Sequence, residues 1–98
     1  MAKYILLLNY TQQGISKVKE SPHRAEAARA LARECGAEMK ELYLTLGEYD
    51  LVVHVEAESP EAIARFALAV GSQGNVRSKT LPAFTEDQFQ EIVQSLPK

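Results

Sequence analysis

The stretch ELYLTLGEYDLVVHVE, residues 41–56, decides the fold. Leu42, Leu44 and Leu46 alternate with Glu41, Tyr43 and Thr45, the period-two pattern of a strand with one buried face. Leu51, Val53 and Val55 alternate in the same way with Val52, His54 and Glu56. Gly47 and Glu48 lie between the two runs, and glycine at the first central position is what a type II′ hairpin turn requires. The pattern predicts strands over 38–46 and 49–56 joined by a two-residue connection. Such a loop sets Leu46 opposite Tyr49, whereas a loop of Gly47 to Asp50 sets Leu46 opposite Leu51. Both registers gather the leucines and valines on one face, because a slip of two residues preserves side-chain parity. Glu41, Tyr43, Thr45, Asp50, Val52, His54 and Glu56 then share the other face.

Upstream, Lys3 to Tyr10 is apolar on both sides and free of Gly and Pro, which suits a strand in the middle of a sheet. Thr11 to Glu20 carries Gly14 and a weak apolar spacing, Ile15 and Val18, and reads as a turn with one or two helical turns. Ser21-Pro22 opens a helix, with the serine expected as its cap; Ala28, Leu31, Ala32 and Cys35 mark the buried stripe and Gly36 ends it. Downstream the same opening recurs at Ser59-Pro60, with Ile63, Phe66, Ala67 and Val70 as the apolar face and Gly71 at the end. Asn75 to Ala83 reads as a fourth strand, in which Pro82 suits a sheet edge or a strand end. Thr85 and Gln88 then form a capping box, flanked by a Phe84–Phe89 staple, and Phe89, Ile92, Val93 and Leu96 give a last amphipathic helix with a face to dock.

The predicted order is βαββαβ plus a C-terminal helix. This is the ferredoxin-like α+β plan: a four-stranded antiparallel sheet, both main helices on one face, and the opposite face bare. All 98 residues fit one domain.

Composition narrows the function. Eleven Lys+Arg against 13 Asp+Glu give a net charge of −2, without the basic excess of a nucleic-acid or anionic-membrane binder. Ile5 to Leu8 is the longest apolar run near the start, far short of a membrane span or signal-peptide core. A cytoplasmic protein is expected, with the single Cys35 as a buried hydrophobe. His23 and His54 stand too far apart for any zinc spacing, so no metal is expected. Gly71-Ser-Gln-Gly74 lacks the Lys-Ser/Thr of a phosphate loop and precedes a strand, and no cofactor is expected. An RNA-recognition module shares the element order, but its third strand carries a basic and aromatic pattern that residues 49–55, with Tyr49 and no Lys or Arg, do not show.

The bare face is too polar for a second core and too aromatic for a plain solvated surface. It suits packing on the same face of another copy as a two-fold dimer, with Tyr43, Asp50 and His54 as convergent polar groups around a small molecule between the sheets. His54 is the acid/base candidate, with Asp50 either orienting it or satisfying backbone donors beside the turn. Arg77 and Lys79 share one face of the fourth strand and suit either an anionic ligand or edge protection.

The segment Leu44-Thr-Leu-Gly-Glu-Tyr-Asp-Leu-Val-Val53 resembles the signature of the GYD domain family. Asn9 to Gly14, Ser21 to Ala28, Gly71 to Arg77 and Leu81 to Thr85 resemble further family segments, so the likeness covers about residues 3–90. The resemblance implies a ferredoxin-like subunit of the dimeric α+β barrel type, in which the sheets of two copies pack face to face. It implies no particular reaction, and Gly47, Tyr49 and Asp50 carry over as signature positions. The expectation is a homodimer or higher oligomer that binds a small molecule. The alternatives are a cofactor-independent enzyme, oxygenase- or isomerase-like, using His54 and Asp50, or a purely structural assembly protein; the enzyme alternative rests on fold analogy.

Overall fold

The computed structural model describes residues 1–98. Four strands, β1 (Ala2–Tyr10), β2 (Ala37–Leu44), β3 (Leu51–Ala57) and β4 (Val76–Ala83), form one sheet in the order β2-β3-β1-β4, with every neighbouring pair antiparallel. The βαββαβ plan is therefore observed. β1 lies inside the sheet, as its two-sided apolarity requires, and β4 takes the edge, where Pro82 lacks no ladder partner it needs.

Two short turns follow β1: α1 (Gln12–Ser16), capped by the Thr11 side chain on the Gly14 N–H, and a 3-10 turn at Val18–Glu20. The main helices are α2 (Ser21–Cys35) and α3 (Pro60–Ser72), and they pack on each other and on the sheet. Gly14 is buried where α1 meets the turn before β4, and a Cβ there would sit 1.9 Å from the Asn75 carbonyl oxygen. Thr11 Oγ1 donates to the Gly74 carbonyl at 2.6 Å and ties the same two segments together.

The helix-covered face holds the core: Tyr4, Leu6 and Leu8 of β1, Val53, Val55 and Ala57 of β3, and Ala32, Cys35, Ile63 and Phe66 from the helices. Leu42 and Leu51 pack against it. A bulge at Lys40 shifts the β2–β3 register between Met39 and Glu41, which lets Met39 join the same core.

Three expectations need correction. Ser21 does not cap α2: the 3-10 turn runs straight into the helix, Ser21 is already helical (φ −57, ψ −43), and its hydroxyl pairs with the Tyr10 hydroxyl at 2.7 Å. Ser59, in extended backbone, does cap α3 through the Ala62 N–H at 3.1 Å. The hairpin keeps the register of a two-residue turn, with Leu44 opposite Leu51, and Gly47 has φ 110, but the ladder opens early. Residues 45–50 form a loop closed by Thr45 N–H to Asp50 O at 2.9 Å and Thr45 Oγ1 to Tyr49 O at 2.5 Å. Leu46 is thereby thrown into solvent, 96% exposed, instead of continuing the leucine row. Tyr49, set opposite Leu46 in the leucine row by the two-residue loop, instead lies under Lys79, whose ammonium is 5.5 Å from the ring centroid.

The C-terminal helix α4 (Glu86–Gln94) has the expected capping box and no buried residue. It projects from the body, and the molecule extends 53 × 31 × 18 Å. No helix is long and apolar enough to cross a membrane.

Candidate functional site

The open sheet face is built in rows across the four strands. Strand pairing aligns Glu41, His54, Ile5 and Leu81 in one row and Tyr43, Val52, Leu7 and Lys79 in the next. Asn9 and Arg77 lie toward one end, and Glu38, Glu56, Lys3 and Ala83 toward the other. The middle is thus apolar, from Ile5, Leu7 and Val52, with Leu81 45% exposed beside them. Acidic residues Glu38, Glu41 and Glu56 occupy the β2–β3 half, and basic Arg77 and Lys79 occupy the β4 edge.

Tyr43 and His54 project on this face, as the alternation required. The Tyr43 hydroxyl donates to the Glu41 carboxylate, and that bond, together with the negative charge of Glu41, raises the phenol above its usual value of 10.0. His54 is half-buried, and its Nε2 stands 4.0 Å from Glu56 Oε2. Lys3 Nζ donates to the same Glu56 oxygen at 2.8 Å. That hydrogen bond holds the Glu56 carboxyl below its usual 4.5; burial opposes the shift, and the charges of Lys3, Lys40 and His54 reinforce it.

Asp50 stands apart from the other two. Its carboxylate Oδ2 accepts the Tyr10 N–H at 2.9 Å, and its own N–H donates to the Leu8 carbonyl at 2.9 Å. The side chain therefore ties the hairpin loop to the end of β1, and about 13 Å of strand separates it from His54. The histidine's acidic neighbour is Glu56, which alternation places on the same face but which carries no signal marking it as the partner. Lys3 and Glu41, which hold Glu56 and Tyr43, were equally unmarked, since an exposed Lys or Glu on a strand is ordinary. No cluster of three or more His, Cys, Asp or Glu side chains is arranged to hold a metal ion.

A cavity of about 520 Å³ lies on the other side of the sheet, between α2, α3 and the strands. It includes none of Tyr43, Asp50 and His54. Its origin is the inner face of the first half of α2, where Ser21, Ala25 and Ala28 are too small to fill the space above Leu8, Leu42 and Leu51.

The arrangement gives a face with an apolar middle, a histidine between carboxylates, and opposite charges on its two halves. The family model for the GYD domain matches residues 4–93. The chain belongs to the GYD domain family. A Thermus thermophilus relative, named "Glutamine synthetase and cystathionine beta-lyase binding protein", is 36% identical over 84 residues, covering 85% of this chain and 88% of that protein. Among solved structures, FFRP-DM1 superposes with a TM-score of 0.62 at 22% identity, over 86% of this chain and all (100%) of that one. Hypothetical protein PHS023 from Pyrococcus horikoshii gives 0.62 at 23% identity, over 88% of this chain and 93% of that one. At such identity the two structures carry the ferredoxin-like fold of this GYD domain and nothing about its chemistry.

Proposed function

We propose that this GYD-domain protein is a binding protein that works as a homo-oligomer, its open sheet faces packed together in pairs. The observation that carries the reading is the division of charge on that face. A two-fold axis parallel to the strands and passing between β3 and β1 lays the acidic β2–β3 half of one copy over the β1–β4 half of the other, with its basic edge, and sets Ile5 and Leu7 over the other copy's β3, where Leu7 meets Val52. Any other face-to-face arrangement that stacks β2 on β2 opposes like charges. Tyr43 and His54 then flank the joint and line any small-molecule pocket between the sheets. Asp50, engaged with the Tyr10 N–H, contributes to the loop beneath and not to the pocket.

Binding accounts for the geometry better than cofactor-independent catalysis. An acid/base role for His54 called on Asp50 to orient the ring, and the carboxylate beside His54 is Glu56, itself held by Lys3. The relative's name adds that the bound partners include enzymes, so glutamine synthetase and cystathionine β-lyase of the same organism are the first partners to test here.

Native mass spectrometry of the purified protein, alone and with each enzyme, tests both halves of the proposal. Even-numbered oligomers that gain mass with one of the enzymes are expected, and Leu7→Asp, on the open face, is expected to give folded chains in smaller or weaker oligomers. A strictly monomeric wild-type chain, or oligomers unaffected by Leu7→Asp, overturns the paired sheets. Oligomers that bind neither enzyme overturn the shared partners.

A further inference from the structure

The chain carries two unsatisfied apolar surfaces that match each other. One is the cavity under α2, floored by Leu8, Leu42 and Leu51 and walled by Phe66 and Val70 of α3. The other is the stripe of α4 and the turn that follows it, where Phe89, Ile92, Val93 and Leu96 are 60%, 43%, 49% and 61% exposed. Exposure of four large apolar residues on one short helix and its terminal turn marks a surface meant to be covered. Their charges are opposite as well. The α4 segment carries Glu86, Asp87 and Glu91 and no base before Lys98, whereas Arg24 and Arg29 stand at the cavity's mouth, with Glu26 the one acid beside them.

The helix does not occupy the cavity of its own chain, whose lining includes no residue of α4. It leaves β4 at Ala83, opposite Lys3, whereas the cavity opens toward the other end of the sheet, at Tyr10 and Val76. These ends are separated by about 23 Å of strand. A nine-residue helix covers only about 13 Å. α3 also packs over β4 and stands between the two surfaces.

We propose that α4 docks in trans, its Phe89–Leu96 stripe seated in the cavity between α2 and α3 of a second copy. The second copy is the occupant because the same chain supplies both the apolar key and the lock, with acidic helix and arginine-flanked mouth in complement. This contact uses the helix side of the sheet and is independent of the open-face pairing, so either can fail without the other.

Disulfide trapping tests it. In a Cys35→Ala background, Ala28→Cys places a thiol in the cavity and Ile92→Cys places one on α4; the two variants are tagged differently and mixed. A cross-linked pair of one chain of each kind is expected under mild oxidation, in excess of either self-pair. A control thiol at Leu68→Cys, on the exposed side of α3, is expected to stay uncoupled. Coupling equal to that control overturns the proposal, as does a disulfide closing within one chain that carries both thiols. A chain ending at Phe84 provides a second readout: it loses no buried residue, and it is expected to bind an apolar dye such as anilinonaphthalene sulfonate several-fold more strongly than the full chain. Equal dye binding shows a cavity open in both and also overturns the proposal.

Discussion

At the scale of single residues, the open face is organised by short-range charge pairs, and in that of Glu56 the carboxyl is held below its ordinary value. Its carboxylate accepts from Lys3 at 2.8 Å and faces His54 at 4.0 Å, so the folded chain holds the proton less readily than the unfolded chain does. The usual Glu value is 4.5 and the folded value is lower. The stabilisation is therefore complete above 4.5 and is lost as pH falls through the folded value. Glu56→Gln removes this acid-side dependence. Urea midpoints measured from neutral pH downward are expected to fall more steeply for the wild type than for the variant, and parallel curves refute the role given to Lys3. Asp50 shows the limit of residue-level reading. Alternation puts it on the face with His54, but only the paired geometry reveals that its carboxylate receives the Tyr10 N–H, a donor that would otherwise end β1 unpaired.

At the scale of elements, the same residue type has opposite consequences in two places, and only packing tells them apart. Gly14 is required for space: a Cβ would lie 1.9 Å from a backbone oxygen that cannot move without breaking the bonds of Thr11 to residues 74 and 75. Gly71 lies within α3 with nothing within 4 Å of an added Cβ. Gly14→Ala is expected to cost about 2–3 kcal/mol by overpacking, and Gly71→Ala to stabilise by about 0.5–1 kcal/mol by restricting the unfolded chain. Thermal or urea denaturation decides it, and a neutral Gly14→Ala refutes the tight approach of α1. Strand and helix identities were legible because each depends on local period: the leucine alternation of residues 42–46, the stripes of α3 and α4, the Thr85 box. What the sequence hid was tertiary. Whether a Ser-Pro serine caps depends on the backbone entering it, extended at Ser59 but already helical at Ser21. The direction of Tyr49 depends on Lys79, thirty residues away along the chain.

At the scale of the whole molecule, the single chain is thinly built. Only 13 of 98 residues are buried, both faces of the sheet keep apolar surface in reach of water, and α4 stands clear of the body. A domain of this size buries a modest share of its surface, and any further burial against a second copy adds directly to its stability. With the copies paired as proposed, folding and association are one equilibrium, and the melting temperature depends on protein concentration. For a two-state dimer of two such chains, the unfolding entropy is about 0.4 kcal/mol/K, and a tenfold rise in concentration shifts the equilibrium by about 1.4 kcal/mol, or about 3 °C. Wild-type protein is expected to show that slope in scanning calorimetry. Leu7→Asp, which leaves the helix-side core untouched, is expected to melt lower and with at most a shallow slope. A wild-type melting temperature that is flat across a hundredfold range of concentration means the exposed apolar surfaces of the lone chain are its final state, and association then contributes nothing to its stability.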